Sequence, residues 1–160
     1  MFTSPQPPAT ITPESLLRWA QEGFREVEAV LGRLGKRQPY QPTWNGSIGN
    51  GALRGAFTEF GSSVLVSVDL LAGTTTTFGG GAAWVFSLPR RPVNNTPKWV
   101  GTVYMRDQSA SLHYPGVALP DDTLAQFTVV AQAADSVRST IPFTWATGDR
   151  MIATLLYPLA

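Results

Sequence analysis

The sequence predicts a mainly β protein, with an N-terminal extended arm and a coiled-coil-like helix followed by an antiparallel β-sandwich of jelly-roll type. Three observations carry that reading. Nine of the 23 charged residues lie between Thr12 and Arg37, which leaves the long remainder poor in charge. The spacing of apolar residues changes near Gln38 from the three-and-four steps of a helix to the alternation of strands. The 15 glycines and 13 prolines fall mostly beyond that point, where they punctuate short apolar runs. The segments are therefore an arm at 1–11, a self-associating helix at 12–37 and a β head at 38–160.

In the arm, Pro5, Pro7 and Pro8 fix φ and remove backbone donors, so the chain there is extended and has no core of its own. Such a segment is either a frayed terminus or a peptide that docks on a neighbouring protein, and the docking arm is the expectation carried forward. Thr12-Pro13 is a helix start: the hydroxyl caps free N–H groups and proline occupies the first turn, where its missing donor costs nothing. Glu14 complements the positive end of the helix dipole. Leu17, Ala20, Phe24, Val27, Leu31 and Leu34 then recur at alternating steps of four and three, the a/d seam of a coiled coil. Leu16, Gly23 and Val30 widen the seam, and Gly35 followed by Lys36 and Arg37 is the expected stop. A wide seam containing Phe24 favours three strands, so the expectation is a homotrimer; packing of the helix across its own β domain is the alternative.

Beyond Gln38, Leu53, Gly55 and Phe57 alternate with Arg54, Ala56 and Thr58, and Val64, Val66, Val68 and Leu70 alternate with Ser63, Leu65, Ser67 and Asp69. Trp84, Phe86 and Leu88 face away from Val85 and Ser87. Each run is a half-buried strand. Further strands are expected at Trp99–Arg106, Leu112–Tyr114, Leu124–Ala133 and Met151–Tyr157. Turns fall at Gly61, Gly73, Gly79-Gly80-Gly81, Pro92-Val93-Asn94-Asn95, Pro120-Asp121-Asp122 and Gly148-Asp149. Seven or eight short strands without intervening helices read as a sandwich or jelly roll.

The composition excludes several classes of function. A formal net charge of +1 offers no broad basic face for nucleic acid. No stretch of 18 apolar residues is present, so no membrane span is expected, and the first residues lack the basic and apolar regions of a signal peptide. With no cysteine and a single histidine, His113, neither a thiolate metal site nor a disulfide framework can form. No Gly-x-Ser-x-Gly elbow accompanies His113, which reads as a strand or loop residue with a satisfied hydrogen bond. Gly46-Ser47-Ile48-Gly49-Asn50-Gly51 has the look of a phosphate loop, but a strand follows it where phosphate binding needs a helix N-terminus. Asp121-Asp122 reads as turn chemistry rather than as a catalytic carboxylate pair. Asn45-Gly46-Ser47 and Asn94-Asn95-Thr96 match the glycosylation acceptor pattern. No catalytic residue, metal site or cofactor is expected. Of the five tryptophans, Trp84 and Trp145 belong to the core, whereas Trp99, Tyr104 and Tyr114 are the expected ligand-facing aromatics.

The run Thr43-Trp44, Gly49-Asn50-Gly51, Leu53, Gly55, the valine-rich strand, Gly73-Thr74-Thr75-Thr76, Phe78-Gly79 and Trp84-x-Phe86-Ser87-Leu88-Pro89 continues to Pro142-Phe143-Thr144-Trp145-Ala146, Gly148-Asp149 and Tyr157. It resembles a β domain of minor tail proteins of tailed bacteriophages of actinobacteria, over about Thr43 to Ala160. In that group the domain sits at the distal end of longer fibre or tail-tip proteins, whereas here it follows only an arm and a helix.

The resemblance and the residues together imply a virion structural protein: a short trimeric tail-tip spike or fibre that contributes to host attachment by binding, not turnover. Residues 1–37 would hold it to other virion proteins, and the head would bind a host cell-wall glycan. A neutral glycan, bound with little dependence on salt, suits so sparsely charged a head. Capsid decoration, as a head fibre, is the alternative within the virion. A monomeric carbohydrate-binding module is the alternative outside it, and a hydrolase using Asp121 or Asp122 is a third.

Overall fold

Thr12 caps the helix as the sequence predicts. In the computed structural model, which describes residues 12–32, 35–93, 99–121, 125–131 and 135–159, helix α1 runs Pro13–Leu31. The Ser15 N–H donates to Thr12 Oγ1 at 3.1 Å and the Thr12 N–H donates to Ser15 Oγ at 2.9 Å, a reciprocal capping box around Pro13 and Glu14. The helix ends before the expected Gly35. Gly32, which is about 1 kcal/mol worse than alanine inside a helix, follows its last residue. The expected arm, Leu34, the Asn94-Asn95-Thr96 pattern and Asp122 lie outside the described residues. Two compact units divide between Lys36 and Arg37.

The second unit holds eight strands: β1 Gln38–Tyr40, β2 Ala52–Phe60, β3 Ser63–Leu71, β4 Val85–Ser87, β5 Gly101–Asp107, β6 Leu112–Asp121, β7 Gln126–Ala131 and β8 Arg150–Pro158. All pair antiparallel in the order β1-β2-β3-β8-β5-β6-β7-β4. The outer strands of that order, β1 and β4, are brought together. Trp44, shortly after β1, bridges Phe86 of β4, the Ser87 N–H donates to the Thr43 carbonyl at 2.9 Å and the Thr43 N–H donates to Ser87 Oγ at 2.9 Å. The result is one sheet that curls until its edges meet. The hydrogen-bond ladder does not divide these strands into the two separate sheets by which a sandwich or jelly roll is defined.

Alternation decides what fills the curl. Val64, Val66, Val68 and Leu70 of β3 are completely buried, as are Met105, Phe127, Val129, Met151 and Ala153. An aromatic plug joins them. Trp84 lies 4.6 Å from Trp145 and 4.7 Å from Trp44, and Trp145 lies 4.5 Å from Phe143, measured between ring centroids. The Trp84 indole donates to the Phe78 carbonyl and that of Trp145 to the Ile141 carbonyl, both at 3.1 Å, so each ring is buried with its polar handle satisfied.

Two expectations need correction. β6 is ten residues long, not the three of Leu112–Tyr114. Pro115 and Pro120, which lack a ladder donor, read as breaks in sequence but lie within the strand, opposite Tyr104 and Phe127. The expected turn at Pro120-Asp121 is therefore strand, with Asp121 opposite Gln126. β1 was not expected at all, because a three-residue strand containing Pro39 carries no alternation.

The glycine-threonine motifs are loop clamps. Asn50 Oδ1 accepts from the Thr75 N–H and hydroxyl, both at 3.0 Å, while the Asn50 N–H donates to Thr75 Oγ1 at 2.8 Å. Thr76 Oγ1 accepts from the Gly73 N–H and donates to the Ile48 carbonyl at 2.6 Å. A Cβ at Gly49, whose φ is +55°, would collide with the Thr75 carbonyl. The glycines therefore serve close approach of two loops, in keeping with the absence of a helix after them.

Candidate functional site

The face of the sheet turned away from the core carries two parallel rows that cross the strands β2-β3-β8-β5-β6. Register gives one row as Arg54, Asp69, Ile152, Tyr104 and Pro115, and the next as Ala52, Leu71, Arg150, Arg106 and His113. Alternation builds both rows: each residue neighbours an inward-facing core residue such as Leu53, Val68, Leu70, Met105 or Met151. The opposite end of the same face is apolar, with Leu65, Leu156, Val117 and Leu119 exposed.

Within the rows, Arg150 grips Asp69 with two parallel hydrogen bonds, Nε to Oδ1 at 2.8 Å and Nη2 to Oδ2 at 2.6 Å. That carboxylate holds the Arg150 pKa above its ordinary value, first by hydrogen bonding and then by charge. Tyr104 Oη and His113 Nδ1 share a 2.6 Å hydrogen bond. Arg106 stands directly opposite Arg150 on paired strands and, among the described residues, its buried Nε has no hydrogen-bond partner. Arg54 is exposed, and the carboxylate opposite it, Asp69, is taken by Arg150. Beside the first row, a depression of about 340 Å³ is lined by Arg37, Arg54, Ser67, Asp69 and Ile152. A second of about 460 Å³ extends it over Pro39, Tyr40 and Gln41.

The three candidate ligand-facing aromatics lie on different sides of the sheet. Tyr104 faces outward, but Tyr114 is opposite inward-facing Met105 and packs on Phe143 at 5.0 Å, and Trp99 stacks on buried Tyr157 at 4.6 Å. The cause is parity of register: Tyr104 and Tyr114 lie on adjacent strands at positions that face opposite sides. On α1, Leu17, Phe24 and Leu31 are 61, 70 and 60% exposed; Val27 is exposed and Ala20 half-buried.

The arginines of the outer rows were missed in sequence. Arg54, Asp69, Arg106 and Arg150 occupy outward positions of recognisable strands, so their direction was readable, but their convergence depends on β8 lying between β3 and β5. Among the described residues, no three His, Cys, Asp or Glu side chains are grouped to hold a metal ion. No described helix is long and apolar enough to cross a membrane. The arrangement is suited to holding a ligand by charge and hydrogen bonds on an open surface.

These features define a mainly β protein whose outward sheet face carries a charged strip. No family model, curated protein or solved structure matches the chain.

Proposed function

We propose that the chain is a structural protein of a bacteriophage virion: a short trimeric spike or fibre at the tail tip, in which α1 self-associates and the β domain contributes to host attachment. The observation that carries this reading is the exposed apolar seam of α1. Leu17, Phe24 and Leu31 are seven residues apart, and all three are at least 60% exposed. A repeat of seven keeps one stripe of a helix facing a partner helix along its length, and burying Leu and Phe side chains stabilises association by about 1.5–3 kcal/mol each. Residues 1–37 would supply the anchor to other virion proteins, and the β domain the contact surface. Presenting three copies of a weak site raises avidity through effective concentration, which makes attachment by binding effective without turnover.

The test joins assembly to attachment. Light scattering on the full chain should give a trimer, and Phe24→Asp should give a monomer whose β domain melts as the parent does. A parent that is monomeric, or an oligomer that persists in Phe24→Asp, overturns the seam. Virions carrying a chain cut after Arg37 should assemble and adsorb poorly to actinobacterial hosts; normal adsorption removes the β domain from attachment.

A further inference from the structure

The outer strip concentrates charge that the sequence shows as thinly spread. Its two rows place three guanidinium groups, Arg54, Arg106 and Arg150, against one carboxylate, Asp69. Arg150 engages both oxygens of Asp69, one hydrogen bond to each, and neutralises its charge. The charges of Arg54 and Arg106 are left without an acidic partner among the described residues. Arg106 moreover sits directly across from Arg150, and like charges opposed on a ladder destabilise a sheet. Its Nε is buried and, among the described residues, meets no acceptor. Arg54 and Arg106 stand three strand spacings apart, roughly 14 Å, so separate anionic groups of one extended ligand would be needed to relieve each.

The neighbours of these cations narrow the ligand. Tyr104 and His113 form a hydrogen-bonded pair beside Arg106, Asp69 offers carboxylate oxygens, and Ser67 lines the depression next to Arg54. Donors and acceptors of this mixture match hydroxyl groups, and the exposed Tyr104 ring offers a face for a sugar. The strip holds a carboxylate as well as three arginines, so it suits a polymer that offers hydroxyl groups beside its anions better than one recognised by charge alone. From β2 to β6 the strip crosses four strand spacings, roughly 19 Å, which suits an extended chain better than a single small anion.

The geometry points to this strip as a binding site for an acidic polysaccharide, Arg54 and Arg106 engaging its carboxylate or phosphate groups while Asp69, Tyr104 and His113 meet its hydroxyls. This inference rests on the attachment reading and replaces the neutral glycan expected from composition. Binding is accordingly salt-sensitive, because exposed ion pairs are screened within about 10 Å at 0.1 M salt.

The experiment measures binding of the full chain to immobilised polygalacturonate, to poly(glycerol phosphate), to dextran as a neutral polymer and to single-stranded DNA, alongside pull-down on actinobacterial cell walls. At least one of the two acidic polymers should bind more tightly than dextran and DNA, the two arms separating carboxylate from phosphate. That binding should fall at least about tenfold in Arg106→Met and in Arg54→Ser, the loss of a charge-assisted hydrogen bond. It should fall again between about 0.05 and 0.5 M salt. Leu156→Ser, at the apolar end of the same face, should bind as the parent does, and exposed Arg54 keeps the test open if Arg106→Met misfolds. Absence of binding to both acidic polymers, equal binding to dextran, tighter binding to DNA, or full binding by folded Arg54→Ser overturns the inference. Cell-wall binding that persists in both arginine variants would leave the attachment reading standing and sink the acidic ligand; no cell-wall binding by the parent would sink the attachment reading itself.

Discussion

The two faces of the β sheet are built from the same strands by the same alternation, yet they differ in what the chain asks of each residue. Inward, Val64, Val66, Val68 and Leu70 meet complete burial, and their neighbours are other side chains of this protein. Outward, Leu65 and Leu71, one residue away, remain exposed, and Asp69 finds Arg150 from a strand 81 residues on. The inner face is specified by local alternation of apolar residues of suitable volume. The outer face acquires meaning only when distant strands are laid side by side, and there a difference of one strand position changes which charges meet.

The comparison is broken most severely in the aromatic plug. Trp145 is 4% exposed, lies between Trp84 and Phe143, and donates its indole N–H to Ile141. Trp145→Ala should therefore cost about 3–5 kcal/mol through the cavity and the lost transfer energy. Thermal and denaturant unfolding measure it. A melting temperature within a few degrees of the parent would show that the inner face tolerates what it is argued not to tolerate.

Next in size is Asp149, a carboxylate only 1% exposed that ties two loops together. Its Oδ1 accepts from the Gln108 N–H at 2.8 Å and its Oδ2 from the Ala146 N–H at 2.6 Å. Replacing it with alanine leaves two backbone donors without their acceptor, and a loss of about 2–4 kcal/mol is expected. Asp149→Asn, which keeps one acceptor oxygen, should recover part of it in the same denaturant titration. Equal losses in both variants would assign the effect to packing and not to the hydrogen bonds.

A sharper form of the comparison uses adjacent residues of β3. Val66 is fully buried and Leu65 is 38% exposed. Val66→Ala should cost about 2 kcal/mol, whereas Leu65→Ala, which removes the larger side chain, should cost about 0.5 kcal/mol. Similar losses at the two positions would mean that the outward face is covered as well.

How much of this was legible follows from the range of the interactions. The cap at Thr12, the helix that follows it and the inward set of β3 depend on residues within a few positions, and they were readable. Burial of Trp84 and Trp145 was readable from strand alternation and flanking turns. β6 was not, since Pro115 and Pro120 forfeit donors that a ladder normally uses, and only pairing with β5 and β7 shows that the strand continues past them. Tyr104 was recognised, but Trp99 and Tyr114 were grouped with it because residue type says nothing about which side of the curl a position faces. The arginine rows needed the order β3-β8-β5, which no local signal encodes.

The smallest effect is expected at Asp107, at the end of β5 where the chain turns into the hairpin to β6. Its Oδ1 accepts from Ser109 Oγ at 2.7 Å and from the Ala110 N–H at 3.0 Å. These bonds, that of Ser109 foremost, favour the carboxylate and hold its pKa below the ordinary value. A native pKa that is lower than the unfolded one, about 3.9, gives stability that is fully present above that pH and is lost as pH falls through the native value. Asp107→Asn lacks the titrating group, so its melting temperature should lie slightly below that of the parent from neutral pH down to about 5, with the gap closing on further acidification. Melting curves of the two proteins across that range provide the measurement. A gap that stays constant into strong acid would mean that Asp107 supports the hairpin through its shape, and that its charge contributes nothing to the fold.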